Sequence, residues 1–231
     1  MEKRRVCAIL LAGGSGSRMN IGITKQRLSL KGKSRLYLTL SLFEACESVT
    51  DIVLVVREDE LDFAKNEADG IFTKLRRITV GGATRAKSAK NGFLSIDFPC
   101  DFVAVHDVAR CLITPDMITK VVLDAAKFGA ATASSLVVDT VKRVDKNGFI
   151  LATENREELR LATTPQIFGY ELYLRAMSEV NIDEANITDD NMLMEILGIP
   201  VYMTDLDGVN TKITHAKDIP YAEYFLGDKD E

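Results

Sequence analysis

Apolar residues gather in short unbroken runs along the first half of this chain. Val6 to Leu11 is wholly apolar and ends in glycines; Ile52 to Val56, Ile78-Thr79-Val80 and Phe102-Val103-Ala104-Val105 repeat the signal. A strand with one wet face alternates polar and apolar residues, so unbroken runs predict strands buried on both faces. Between the runs the spacing becomes helical. Leu36, Leu40 and Phe43 share one face, and so do Ala89, Phe93 and Ile96. Thr114-Pro115 opens another helix, because threonine caps it and proline at the first helical position loses no bond. Gly129 ends that helix after Phe128. The alternation predicts an α/β fold: a Rossmann-like three-layer αβα sandwich on a mostly parallel mixed sheet.

From Asp139 the pattern changes. DTVKRVDKNGFILATENR alternates polar and apolar residues around Asn147-Gly148, a strong hairpin signal. The reading is a single domain over 1–231 with a β-hairpin arm projecting at about 138–157. Beyond the arm, Thr188 caps and Asp189-Asp190 lead a helix that Gly198 ends, the carboxylates suiting its amino terminus. Pro200 to Thr204 and Thr211 to Thr214 read as short strands. Pro220 fits a last helix only if that helix starts near Asp218.

Composition narrows the class. With 46 % hydrophobic and 27 % charged residues the chain is an ordinary globular protein rather than a disordered one. No apolar run reaches the roughly 18 residues of a membrane span. The start, MEKRRVCAILLAGG, mimics a signal peptide faintly, but its apolar part is brief and runs into glycine and serine, which favours a buried first strand. Four cysteines without CxxC spacing point to reduced thiols in a cytoplasm. Two histidines exclude a histidine metal cluster. A net charge of −5 argues against nonspecific nucleic-acid binding, so a polyanion would have to meet locally concentrated arginines and lysines.

Such a concentration follows the first strand. LLAGGSGSRM places Ala12, Gly13, Gly14 and Gly16 in a glycine-rich loop, then Arg18, then Lys25-Gln26. It is not a dinucleotide fingerprint, because Met19 stands where a third glycine belongs, and Ser17-Arg18 replaces the lysine and hydroxyl of a P-loop. Gly32-Lys33-Ser34 has a P-loop ending but lacks the earlier glycine, where Arg27 stands. Amide groups beside two cations suit a triphosphate whose charge grows in the transition state, although either cation alone also reads as a solvated surface charge.

These residues resemble the sugar-nucleotidyltransferases, and within them the 2-C-methyl-D-erythritol 4-phosphate cytidylyltransferase family. LAGGSGSRM with TKQ, VGGATRAKSAKNGF, VHDVARC, DTVKR, NREELRLATTPQ, ITDDNMLME and NTKIT stand in the family's order through nearly the whole chain. The resemblance implies that Ala12, Gly13, Gly14 and Gly16 hold CTP, and that Arg18 and Lys25 stabilise its α-phosphate. It implies that Gly82 and Ser88 contact cytosine while Arg85 shapes their loop. Asp107 would hold Mg2+ and help bind substrate, with Arg110 beside the acceptor. Thr140, Arg156, Thr164, Thr188 and Lys212 would bind the acceptor, Arg156 and Lys212 catalytically. The family's arm forms a homodimer and carries Arg156 into the neighbouring site. Three positions depart from the family pattern: Thr24 for proline, Arg27 for an aromatic and Cys111 for proline.

The implied reaction is attack of a polyol phosphate oxygen on CTP, giving 4-diphosphocytidyl-2-C-methyl-D-erythritol and pyrophosphate. A phosphate with a second pKa of about 6 is anionic at neutral pH and needs no general base, which suits a chain without a Ser-His-Asp or Cys-His set. Two alternatives stand beside this reading. One is a ribitol 5-phosphate or other polyol-phosphate cytidylyltransferase; the other is a nucleotide-binding regulator without catalysis, which would not need Lys25 or Asp107.

Overall fold

The computed structural model describes residues 4–13 and 27–227. In chain order the elements begin with β1 (Val6–Leu11), the small ribbon β2 (Ser29–Leu30) and β3 (Lys33–Ser34), and α1 (Arg35–Ala45). Then come β4 (Asp51–Val56), α2 (Leu61–Ala68), β5 (Leu75–Val80), α3 (Arg85–Leu94), β6 (Phe102–Asp107) and α4 (Pro115–Phe128). The second half holds β7 (Ala130–Leu136), β8 (Lys142–Val144), β9 (Ile150–Thr153), β10 (Arg160–Gly169), α5 (Tyr170–Glu179), α6 (Asn191–Ile196), β11 (Tyr202–Asp205) and α7 (Asp218–Leu226).

Among the described residues the main sheet has seven strands in the order β11-β7-β10-β6-β1-β4-β5. Strand β10 runs antiparallel to both β6 and β7; every other pairing is parallel. Three of the four apolar runs mark the middle of the sheet, in β6, β1 and β4, with β1 and β4 buried at every residue. The expectation for Ile78-Thr79-Val80 is corrected, since that run lies in the edge strand β5 and is only half-buried. Successive side chains of β1 feed opposite faces. Val6, Ala8 and Leu10 pack with Leu36, Leu40 and Phe43 of α1 and with Ile118, Val121 and Ala125 of α4. Cys7, Ile9 and Leu11 pack with Ala89 and Phe93 of α3, Tyr173 and Met177 of α5, and Leu193 of α6. Both faces are therefore covered, which makes the three layers. Helix α3 lies close because of Gly92, where a Cβ would fall 2.6 Å from Ile9 and 2.7 Å from Val55.

Local signals set the helix ends. Helix α4 spans the residues its pattern predicts, with the Thr114 hydroxyl accepting from Met117 N–H at 3.3 Å and Gly129 at φ +89°. Such a cap contributes about 1 kcal/mol. Gly32-Lys33-Ser34 is no phosphate loop: Lys31 and Gly32 turn the β2–β3 ribbon at positive φ, and Ser34 caps α1. Helix α7 does start at Asp218, which admits Pro220 in its first turn. Two more expectations are corrected. Thr211 to Thr214 is not a strand, its Ile213 N–H instead bonding Ala109 O at 2.8 Å. Thr188 does not cap α6: Asp190 holds the N-cap position. The side chain that accepts from the first turn is Asp189, whose Oδ1 takes Met192 N–H at 3.2 Å while the Thr188 hydroxyl meets the Met192 sulfur.

The arm is an antiparallel two-stranded ribbon, β8 against β9, whose register shifts between Arg143 and Val144. Asp145 closes it by accepting from the N–H groups of Asn147 and Phe149, both at 2.9 Å, with Gly148 at φ +90°. No described helix is long and apolar enough to cross a membrane.

Candidate active site

The carboxyl ends of β1, β4, β5 and β6 deliver residues to one edge of the sheet, the usual ligand side of such folds. A cleft of about 630 Å³ opens there, lined by Gly13, Arg57, Asp59, Gly81, Gly82 and Ser88 among others. That volume suits a nucleotide-sized ligand. Ser88 is buried in the first turns of α3, and its Oγ accepts from Gly82 N–H at 3.1 Å and donates to Thr84 O at 2.9 Å. A Cβ on Gly82 would fall 2.4 Å from Lys87 Cβ, so the loop closes on the helix only without a side chain. Ala12 is buried and its N–H bonds Val55 O at 2.7 Å, which fixes the exit of β1; Gly13 follows directly.

Beside the cleft, β6 ends in Asp107, which is 8 % exposed. Its Oδ1 accepts from Arg85 Nε at 3.1 Å and its Oδ2 from Lys212 Nζ at 2.6 Å. Burial alone would raise this carboxyl, but Arg85 and Lys212 outweigh it and hold the group well below the usual carboxylate range. Arg85 also gives Nη1 to Asp190 Oδ2 at 2.6 Å, and Asp190 Oδ1 accepts from the Tyr173 hydroxyl at 2.6 Å. Burial disfavours the Arg85 charge, yet the two carboxylates overcome it and raise its pKa. Lys212, Asp107, Arg85 and Asp190 thus form one alternating chain of charge.

A second network orients the loop after β6. Thr164 Oγ1 accepts from Asp107 N–H at 3.1 Å and lies 3.0 Å from His106 Nδ1. Having accepted from the amide, the hydroxyl gives its hydrogen to Nδ1, which leaves Nε2–H facing Arg110 O at 3.3 Å. Complete burial pushes His106 down to about 3, so the ring is neutral. Arg110 Nη1 donates to Asn210 O at 2.7 Å, and Asn210 Nδ2 donates to Thr164 O at 2.9 Å and to Thr163 Oγ1 at 3.2 Å. Among the described residues, three buried polar side-chain atoms have no hydrogen-bond partner: Arg85 Nη2, Arg110 Nε and Asn210 Oδ1. All three belong to residues bonded around Asp107 and Thr164. Such orphans are costly unless a ligand or water meets them.

The fold therefore brings together Gly13, Gly82 and Ser88 at the cleft, and Arg85, Asp107, Arg110, Thr164 and Lys212 beside it. Thr140 and Thr188 are exposed on loops. Arg156 is exposed at the foot of the arm, with Nη1 donating to Val138 O at 2.7 Å. Gly14, Gly16, Arg18, Thr24 and Lys25 lie outside the described residues. Arg27 spends its charge on Glu60, at 3.2 Å, and on the Phe63 ring. Cys111 is buried beneath the loop among Leu28, Leu30 and Ile213. Sequence reasoning missed Arg57, Asp190, Tyr173 and Asn210. Arg57 follows directly on the β4 run, which was a usable signal; a buried tyrosine paired with a distant aspartate leaves none.

The model of the family described as 2-C-methyl-D-erythritol 4-phosphate cytidylyltransferase matches residues 6–228. A protein of that name from Clostridium perfringens is 36 % identical over 223 residues, covering 96 % of this chain and 99 % of its own. Its namesake from Clostridium botulinum is 37 % identical over 227 residues, covering 98 % of each chain. Among solved structures, the 4-diphosphocytidyl-2C-methyl-D-erythritol synthase of Anaerococcus prevotii superposes with a TM-score of 0.87 at 26 % identity, covering 97 % of this chain and 99 % of that one.

Proposed function

This chain belongs to the 2-C-methyl-D-erythritol 4-phosphate cytidylyltransferase family, and from that premise we propose how its residues transfer CMP from CTP to 2-C-methyl-D-erythritol 4-phosphate. A phosphate oxygen of the acceptor attacks the α-phosphorus of CTP, the bond to the β-phosphate oxygen breaks, and pyrophosphate leaves. The nucleophile is already anionic at neutral pH. Catalysis therefore rests on alignment and on neutralising charge that grows at the α-phosphate.

The cleft at Gly13, Gly82 and Ser88 takes the nucleotide, its base facing the Gly82–Ser88 turn. Ala12, Gly14 and Gly16 serve the same ligand as parts of the glycine loop, and Arg18 and Lys25 act on the α-phosphate. Arg110, Thr164 and Lys212 take the acceptor from the Asp107 side, joined by Thr188. The observation that carries this reading is the buried Asp107, paired on both oxygens and set next to a nucleotide-sized cleft on the carboxyl edge. The orphaned donors on Arg85 and Arg110 support anion binding there.

The described residues contain no group of three or more histidines, cysteines, aspartates or glutamates placed to hold a metal. Mg2+ commonly takes one or two carboxylates and completes its shell with substrate phosphates and water. The single ionised carboxylate of Asp107 fits that pattern once Lys212 yields its oxygen to the cation. Asp107 would hold the cation, which when bound would offset triphosphate charge.

The arm supports a homodimer with shared sites. Val138, Phe149, Ile150 and Leu151 on or beside it are all mostly exposed, an apolar surface that a single copy leaves uncovered. A two-fold pairing would use this contact twice and carry Thr140 and Arg156 to the neighbouring acceptor site. Free thiols at all four cysteines suit a reducing cytoplasm.

The test is pyrophosphate release from CTP and Mg2+ against a panel of polyol phosphates. The expected result is a higher kcat/KM for 2-C-methylerythritol 4-phosphate than for ribitol 5-phosphate; the reverse order would overturn the acceptor assignment.

A further inference from the structure

Arg85 stands between two carboxylates. It reaches Asp107 with Nε alone, at 3.1 Å; Nη1 is held by Asp190 at 2.6 Å, and Nη2, the nitrogen that would complete a two-bond pair with Asp107, is buried without a partner. A guanidinium facing a single carboxylate prefers the paired arrangement, two parallel bonds to two oxygens. Here that arrangement is absent, and the second oxygen of Asp107 goes to Lys212 at 2.6 Å. Asp190 is itself fixed from behind. It is 1 % exposed, its Oδ1 accepts from the fully buried Tyr173 hydroxyl, and its backbone N–H donates to Gln166 Oε1 at 2.8 Å. Gln166 Nε2 in turn donates to Asp189 Oδ2 at 2.8 Å. A rigid carboxylate has thus been built into the helix layer at a position that meets Arg85.

We propose that Asp190 is a positioning residue: it holds the Arg85 guanidinium turned so that Asp107 receives one hydrogen bond from it and keeps its other oxygen for Lys212. Without the Asp190 charge, Arg85 swings into a two-bond pair with Asp107 and displaces Lys212. Balance of charge points the same way. Two anions and two cations cancel in the cluster, and neutralising Asp190 leaves a surplus positive charge that Arg85 relieves by closing on Asp107. This inference rests on the cytidylyl-transfer reading only for its kinetic assay.

Asp190→Asn keeps the size of the side chain and an oxygen for the Tyr173 hydroxyl. It should lower kcat on the order of tenfold while changing the KM for CTP little, because the damage falls on Asp107 and Lys212. In an Arg85→Gln background the same substitution should cost nothing further, since the swinging group is gone. An equal kcat loss in both backgrounds overturns the proposal, as it marks a general structural role. A second readout needs no activity. Acylation of Lys212 by an amine-reactive ester, followed by peptide mass, should rise severalfold in Asp190→Asn and stay at the unmutated level in Asp190→Asn/Arg85→Gln. Labelling unchanged by Asp190→Asn overturns the proposal whatever the substrate proves to be. Should Asp190→Asn fail to fold, Tyr173→Phe loosens Asp190 by one bond. It should raise Lys212 labelling more modestly, and no rise would count against the proposal in the same way.

Discussion

The carboxyl edge of the sheet and the hairpin arm invert the usual distribution of polarity in opposite senses. At the edge, His106, Asp107, Thr164, Gln166 and Asp190 are all buried, in a region where one expects apolar packing. On the arm, Val138 is 79 % and Phe149 72 % exposed, where one expects polar residues. The edge stays folded because, among the described residues, almost every buried polar side-chain atom is bonded to another, and the three that are not sit around Asp107 and Thr164. The arm has no such compensation. Isolated two-stranded ribbons are marginal in water, and this one touches itself through an Arg143–Glu154 pair at 2.6 Å and the Asp145 turn. On the proposed function both regions would give up stability to something outside the chain: the edge to an anionic ligand, the arm to a second apolar surface.

The largest effect is expected at the phosphate site. Lys25→Ala and Arg18→Ala should each lower kcat by about a hundredfold or more, as removal of other preorganised charge stabilisers does, with a smaller change in CTP binding. A raised KM at constant kcat would reduce them to holding substrate. Asp107→Asn should come next, with a loss on the order of tenfold and a higher Mg2+ requirement while the fold persists. An unaltered Mg2+ titration would leave Asp107 with a purely structural part, and the edge would no longer differ from any buried polar cluster.

On the arm, Phe149→Ser/Ile150→Ser removes apolar area without touching the edge. The expected outcome is a shift toward monomer by sedimentation, with activity severalfold lower at dilute protein and recovering as concentration rises. A stable dimer with unchanged activity would separate the arm from assembly. The smallest effect is expected for Ser88→Ala. Losing one neutral hydrogen bond to the Gly82 turn costs about 1 kcal/mol, so the KM for CTP should rise roughly fivefold with kcat nearly kept. A fall in kcat without a change in KM would move Ser88 out of the nucleotide cleft.

The two regions also differ in how far the sequence reveals them. Strands β1, β4 and β6 were legible because they lie inside the sheet and read as unbroken apolar runs. Strands β7 and β10 were not, because they bury Thr132, Ser134, Thr164 and Gln166 and so break the apolar pattern. Helix α4 was legible to the residue, since Thr114, Pro115 and Gly129 act on their immediate neighbours. The arm announced itself through Asn147-Gly148, although Asp145 governs the turn. What the sequence hid were bonds between distant residues. Arg85 and Asp190 are 105 positions apart, and so are Lys212 and Asp107. Asp190 read as a first-turn carboxylate, and only the fold shows that it faces Arg85. Thr211 to Thr214 misled because it is β-prone, yet it bonds the Ala109 loop instead of a strand.

The claim that joins the two regions is that the arm completes the neighbour's edge, and subunit exchange tests it directly. Lys25→Ala and Arg156→Ala are prepared separately as inactive dimers, mixed in equal amounts and allowed to exchange. If Arg156 serves the partner's site, each mixed dimer has one site with both defects and one with neither. Half the dimers are mixed and half their sites are intact, so activity should return to about a quarter of the unmutated level. If Arg156 serves its own subunit, every site keeps one defect and mixing restores nothing, which would contradict the account even for a protein that remains a dimer.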